Sequence, residues 1–248
     1  MSGHSKWSTI KRKKSKIDAQ RGKVFTKLAK EIIAAARKGG GDPEANIALK
    51  NAIARAKEAN MPNDNIQRAI KRGSGELGAD NYEEITYEGY GPGGTAVMLE
   101  IMTDNRNRTA GEIRHYFSKY GGNLGETGCV SWMFDARGVL IVERNKLAMD
   151  ADEFMLTALD AGAIDIKEEE DSFEILTEPA DLNKVNEVLE VEGIQISLAE
   201  IAMLPKTTVT LEGKNEEQME TLLEMLEDHD DVQNVYTNYE PSEKDEEE

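Results

Sequence analysis

The sequence predicts a multidomain α+β protein: a basic, helical N-terminal domain followed by two ferredoxin-like α+β domains, one inserted in the other. Apolar residues recur at helical spacing before Gly78, whereas runs of β-branched and aromatic residues alternate with helical stretches after it. The charge changes sign at the same place. Residues 1–78 carry 18 Lys and Arg against 7 Asp and Glu, a net charge of +11, and the remainder of the chain carries −29.

The first twenty residues are predicted to form a basic arm. Side chains of like charge repel one another when they are crowded, so this segment resists packing without a counter-charge. Its basic residues surround one aromatic residue, Trp7, and they are Lys6, Lys11, Arg12, Lys13, Lys14 and Lys16.

Three helices are predicted behind the arm. The first carries apolar residues every four positions from 24 to 32 and ends at the glycines 39–41. Asp42-Pro43 predicts the start of the second helix, because aspartate accepts a capping hydrogen bond and proline needs no N–H in the first turn. Asn63 is the predicted cap of the third helix, which ends at Gly73.

The rest of the chain alternates between strand and helix patterns. Residues 138–204 give the order strand, helix, strand, strand, helix, strand, which is the ferredoxin-like motif, and we expect them to fold on their own. They follow a predicted turn, Asp135-Ala-Arg-Gly138. They also interrupt a second such cycle, which is predicted to use strand 95–102, helix 107–120 and strand 128–134, then strand 207–211, helix 216–226 and strand 232–239. The predicted domains are residues 1–78, residues 79–137 with 205–240, and residues 138–204, before a disordered acidic tail at 241–248.

The sequence contains no constellation of residues typical of an enzyme. The histidines, His4, His115 and His229, are far apart and lie in no metal-binding motif, and Cys129 sits in a predicted strand as a small buried residue. Gly89–Gly94 matches the spacing GxGxxG, but a strand follows it rather than the helix that a dinucleotide site needs. We therefore predict no catalysis, no metal and no cofactor.

The chain is predicted to be a cytoplasmic monomer. It has no apolar run long enough to span a bilayer and no apolar segment typical of a secretory signal, so no membrane partner is expected. A single cysteine, Cys129, fits a reducing compartment. The lysine-rich beginning of the chain runs straight into a predicted domain, which disfavours a transit peptide.

Two arginines in the acidic part of the chain permit two interpretations. Arg106 and Arg108 lie where a predicted strand meets a predicted helix. Each guanidinium group could pair with local acidic residues, or it could bind phosphate through its planar fork.

Several blocks of the sequence resemble the YebC/PmpR family. They are Met1-Ser-Gly-His-Ser-Lys-Trp7, Arg21-Gly-Lys-Val-Phe-Thr-Lys-Leu-Ala-Lys-Glu-Ile32, Asn60-Met-Pro-Asn-Asp-Asn-Ile66, Tyr87-Glu-Gly-Tyr-Gly-Pro-Gly-Gly94 and Thr103-Asp-Asn-Arg-Asn-Arg-Thr109. The resemblance implies a helical N-terminal domain, two α+β domains and a cytoplasmic bacterial protein. It also implies DNA-binding transcriptional regulation, with relatives that act as translational activators or ribosome-associated factors, and it brings no catalytic residues.

The charge pattern and the resemblance together predict a non-enzymatic regulator of gene expression that binds nucleic acid through residues 1–78, and the resemblance implies that this nucleic acid is DNA. Ribosomal RNA is the first alternative, because lysines bind phosphate but read bases poorly and the acidic remainder repels duplex DNA. A protein-interaction adaptor is the second, and a solvated basic face without a partner also remains open. The predicted nucleic-acid-binding residues are Lys6, Trp7, Lys11, Arg12, Lys13, Lys14, Lys16, Arg21, Lys23, Lys27, Lys30, Arg106 and Arg108.

Overall fold

The computed structural model describes residues 21–78 and 82–241. The predicted basic arm and residues 242–248 of the predicted tail lie outside these ranges. Contacts divide the described chain into two compact units, one of residues 135–204 and one of residues 21–78, 82–134 and 205–241. No helix within the described ranges is long and apolar enough to cross a membrane.

Within residues 21–78, the N-terminal domain has three helices: α1 (Arg21–Gly39), α2 (Ile47–Glu58) and α3 (Asn63–Gly73). Both α2 and α3 pack against α1. The last residue of α3 is held close to α1, because a Cβ atom on Gly73 would lie 2.5 Å from the carbonyl oxygen of Ile33. Only glycine permits this approach. The core includes several small residues and consists mainly of Ile32, Ile33, Ala36, Leu49, Ala52, Ala56, Ile66, Ala69 and Ile70.

The predicted starts of two of these helices are wrong. Asp42-Pro43 forms a separate turn, in which the Asp42 carboxylate accepts a hydrogen bond from the Glu44 N–H at 3.0 Å. The cap of α2 is Asn46, whose Oδ1 accepts from the Leu49 N–H at 3.1 Å. The Asn46 amide also donates to two carbonyl groups at the end of α1, so one side chain joins both helices. Asn63 is the first residue of α3 rather than its cap.

A four-stranded antiparallel sheet with the order β3-β1-β2-β9 forms the first α+β fold. Helices α4 (Arg106–Lys119) and α7 (Lys214–Glu227) contribute Ile113, Phe117, Leu222 and Leu226 to the core against this sheet. The strands are β1 (Glu83–Tyr90), β2 (Ala96–Thr103), β3 (Asn123–Leu124) and β9 (Val232–Thr237). The mixed α+β class and the helical N-terminal region are confirmed.

The order of strands in this domain differs from the prediction. Residues 128–133 of the predicted strand 128–134 form a loop with a short 3-10 turn at Ser131–Met133, and β1 lies inside the sheet instead. The predicted strand at 207–211 is reduced to β8 (Val209–Thr210), which pairs in parallel with β10 (Tyr239–Glu240) in a separate sheet. The strand predicted at 128–134 is absent because loop N–H groups that a strand would use bind the buried carboxylate of Glu88.

The compact unit of residues 135–204 has a four-stranded sheet with the order β5-β6-β4-β7, which is the ferredoxin-like arrangement. Its elements are β4 (Phe134–Glu143), α5 (Ala151–Ala161), β5 (Asp165–Glu168), β6 (Ser172–Thr177), α6 (Leu182–Val191) and β7 (Leu198–Pro205). The predicted turn at residues 135–138 is instead part of β4. Gly138 lies opposite Thr177 in the ladder, where a Cβ atom would meet the threonine hydroxyl at 2.1 Å.

Candidate nucleic-acid interface

Two of the predicted nucleic-acid-binding lysines make internal contacts. The Lys30 ammonium lies 2.6 Å from Asp231 Oδ1 and 2.9 Å from the Asp230 carbonyl oxygen. The two charged side chains are only 6% and 5% exposed. Lys27 donates to the carbonyl of Glu227, the last residue of α7. A cation at a helix C-terminus is favoured by the helix dipole, so Lys27 attaches α1 to the end of α7, while Lys30 attaches α1 to the segment that follows α7.

Asp231 is the centre of this buried network. Its second oxygen, Oδ2, accepts hydrogen bonds from the hydroxyls of Thr109 at 2.7 Å and Thr103 at 3.1 Å, and from Arg108 Nη2 at 2.9 Å. Burial raises the pKa of Asp231, but the hydrogen bonds from Lys30, Thr109 and Arg108 outweigh burial and hold the pKa well below its usual range. Asp231 is therefore a charged, fully engaged carboxylate at neutral pH.

These contacts correct the predicted set of binding residues. Lys30 is buried and neutralised, so we remove it from the candidate interface, and Lys27 is held by a backbone carbonyl. Arg108 is 44% exposed but pairs with Asp104 and Asp231, both at 2.9 Å, as the local-pairing interpretation expected. Arg106 is exposed at the start of α4.

The other predicted residues lie at or beyond the beginning of the described chain. Lys23 is exposed in the first turn of α1. The backbone of Arg21 is helical, but its side chain lies outside the description. Lys6, Trp7, Lys11, Arg12, Lys13, Lys14 and Lys16 also lie outside it, so their contribution stays a prediction.

The structure adds four exposed basic residues that the sequence prediction missed. Lys50 and Lys57 lie on α2, and Arg68 and Lys71 lie on α3. Within residues 21–78 and 82–241, none of these four side chains has an ion-pair partner. Helical spacing could have identified them, because each falls outside the stripe of its helix that faces the core. Their charges are available to an external anion.

The described residues show no group of metal-ligating side chains close enough to hold an ion. His229 Nε2 lies 2.8 Å from a carboxylate oxygen of Glu112. The half-buried Cys129 is a poor nucleophile, because burial and the nearby charge of Glu88 raise the pKa of its thiol. Gly89–Gly94 joins β1 to β2, so the expected strand-to-strand loop is confirmed.

Comparisons with known proteins match both parts of the chain to domains of one protein family. Residues 5–76 match the model of the TACO1/YebC protein N-terminal domain, and residues 82–239 match that of the TACO1/YebC second and third domain. A protein of Pelotomaculum thermopropionicum called probable transcriptional regulatory protein is 68% identical over 240 residues, which cover 97% of this chain and 99% of the relative. A protein with the same name from Desulforamulus reducens is 62% identical over 240 residues, with the same coverage of both chains.

A solved structure agrees with these matches. The crystal structure of a conserved hypothetical protein from Aquifex aeolicus superposes with a TM-score of 0.85 at 46% identity, covering 94% of this chain and 96% of that one. The family models together extend over both compact units. The chain therefore belongs to the TACO1/YebC family.

Proposed function

We propose that this chain is a non-enzymatic regulator of gene expression that binds nucleic acid through its basic N-terminal domain. The observation that carries the proposal is the separation of charge, +11 in residues 1–78 against −29 in the remainder. The name of the relatives, probable transcriptional regulatory protein, supports a regulatory role and makes DNA the first candidate partner.

The exposed residues of α2 and α3 add positive charge to that of the sequence before them. Each of these helices carries three basic residues and one acidic residue. Lysine and arginine bind phosphate oxygens strongly, and neutralising phosphates releases condensed counterions from the nucleic acid. Lys50, Lys57, Arg68 and Lys71, together with the arm, therefore supply the charges that a phosphate backbone would contact.

Structured RNA, as in a ribosome, is the second candidate partner. The −29 charge of the remaining residues repels flanking duplex within a Debye length of about 10 Å at 0.1 M salt. A folded RNA surface with protein neighbours accommodates such a molecule more easily than long duplex DNA does. The lysine-rich composition of the arm favours contacts with phosphate over reading of bases.

A salt titration with charge-reversal variants tests the proposal. Replacing Lys11, Arg12, Lys13 and Lys14 with glutamate is expected to abolish binding of labelled duplex DNA and structured RNA without unfolding the protein. Wild-type affinity should fall linearly in a plot of log affinity against log salt concentration. Fluorescence anisotropy measures the affinity and circular dichroism checks the fold. Wild-type affinity in a fragment of residues 79–248 would contradict the proposal.

Competition and co-sedimentation experiments distinguish the two candidate partners, DNA and structured RNA. The RNA candidate predicts sedimentation with ribosomes at low salt, which the fragment of residues 79–248 should lose, and only modest, weakly sequence-dependent affinity for duplex DNA. Nanomolar binding to one promoter sequence that excess random DNA does not diminish, without ribosome association, would instead establish the DNA candidate.

A further inference from the structure

Two aromatic side chains are exposed on the unit that holds the first α+β fold. Trp132 is 66% exposed and Tyr90 is 38% exposed. The Trp132 indole N–H and the Tyr90 hydroxyl both donate to the carbonyl oxygen of Cys129, at 3.0 Å and 2.9 Å. Their polar groups are thus satisfied internally and lie next to each other, which leaves the aromatic surfaces to contact a ligand.

The loop that carries Trp132 is fixed by a buried carboxylate. Glu88 is 4% exposed and accepts hydrogen bonds from the N–H groups of Gly128, Val130 and Ser131, each at 2.8 Å. Burial raises the pKa of Glu88, but these three bonds outweigh it and lower the pKa below its ordinary value. The loop is therefore held in one conformation, and the tryptophan is presented without a large loss of entropy on binding.

Lys206 makes two further hydrogen bonds that fasten this loop. The Lys206 ammonium donates to the carbonyl oxygen of Trp132 at 2.9 Å, and the Lys206 N–H donates to the Met133 carbonyl at 2.9 Å. Aromatic rings on a fixed backbone are the groups on which proteins stack unpaired bases.

We propose that Trp132 and Tyr90 form a stacking site for an unpaired nucleobase. The inference rests on the proposed function and adds a contact outside the basic domain. A protein partner fits less well, because interface cores surround their aromatic anchors with further apolar surface. Within the described part of this unit, the only other large hydrophobic side chain that is exposed is Leu77.

The site contacts the unpaired bases of a strand rather than its phosphate backbone. Residues 79–248 carry a net charge of −29, which disfavours phosphate contacts, whereas stacking depends on the π-face and is independent of base identity. Affinity then has two separable parts, a salt-dependent part from the basic domain and a stacking part that appears only with unpaired nucleic acid.

Fluorescence of the full chain tests the site directly. The sequence has two tryptophans, so Trp7→Phe leaves Trp132 as the sole indole, and all comparisons are made in this background. Single-stranded oligoadenylate is expected to quench the Trp132 emission, and the paired duplex of oligoadenylate with oligouridylate is expected to leave it unchanged. Parallel titrations with oligodeoxyadenylate show whether the site distinguishes RNA from DNA.

Variants then connect the signal to affinity. Trp132→Leu should weaken binding of oligoadenylate about 5- to 100-fold without changing duplex affinity, and Trp132→Tyr should restore most of it. Leu77→Ala is the matched control. It removes another exposed hydrophobic side chain and should change neither the affinity for oligoadenylate nor the affinity for the duplex. Unchanged emission on saturation with oligoadenylate would overturn the stacking site and leave a protein as its occupant, while duplex binding would still support the proposed function. Absence of all nucleic-acid binding would overturn both.

Discussion

Lys30 and Lys50 belong to neighbouring helices of the same basic domain, yet they have opposite roles. Lys30 is 5% exposed and ends in a buried ion pair with Asp231, whereas Lys50 is exposed on α2. Both count equally toward the net charge from which nucleic-acid binding is predicted. The comparison shows that charge belongs to an interface only when it is not neutralised internally. The inward side of α1 attaches the domain to the α+β fold, and the outward residues of α2 and α3 face solvent.

The largest expected effect comes from removing the inward charge. Lys30→Met leaves the Asp231 carboxylate buried with one fewer cation, and we expect a loss of about 3 to 5 kcal/mol in the free energy of unfolding. Urea denaturation measures it. Lys23→Met on the same helix is the control and should change stability by less than about 0.5 kcal/mol, because Lys23 is exposed. An equal decrease in the free energy of unfolding in the two variants would show that the buried ion pair contributes no more to stability than an exposed lysine does.

The pH dependence of the free energy of unfolding tests Asp231, the partner of Lys30 in the buried ion pair. The folded pKa of Asp231 lies below its unfolded value of about 3.9, so its contribution is present above the unfolded pKa and is lost as pH falls through the folded pKa. Wild-type stability should therefore decline from about pH 5 downward, and Asp231→Asn should decline less over the same range. The asparagine variant should be less stable than the wild type at neutral pH.

Urea titrations at a series of acidic pH values make this comparison. Glu88, whose pKa is also lowered, remains in both proteins, so the difference between the two curves isolates Asp231. Parallel acid profiles would mean that Asp231 titrates in the folded protein as it does in the unfolded chain.

The sequence predicted the class of fold and most helices, because these depend on local spacing. It also predicted the element order of residues 138–204, where each strand and helix has its own apolar pattern. The role of Lys30 depends on a partner 201 positions away, which periodicity does not reveal. The strand predicted at 128–134 fails for a similar reason, since its β-forming composition is overridden by the distant Glu88 carboxylate.

Part of the candidate site was predictable and part was not. The exposed lysines of α2 follow from the helix pattern alone, since Leu49, Ala52 and Ala56 mark its buried side. The shared contact of Trp132 and Tyr90 with the Cys129 carbonyl could not be predicted from the sequence, because it arises where a loop meets the end of β1. Residues that act through local periodicity are visible in one sequence, and those assembled by tertiary contacts are not.

The smallest effect is expected from the outward lysines, and it decides whether they bind phosphate. Lys50→Glu with Lys57→Glu should lower affinity for duplex DNA or structured RNA about tenfold and reduce the salt slope by up to about two units, one for each lost phosphate contact. Lys184→Glu with Lys214→Glu is the matched control, since both lysines are exposed on α6 and α7 and the change in net charge is identical. If position matters, only the first pair weakens binding. Equal weakening by both pairs would mean that overall charge governs association, and the distinction between inward and outward lysines would then not extend to function.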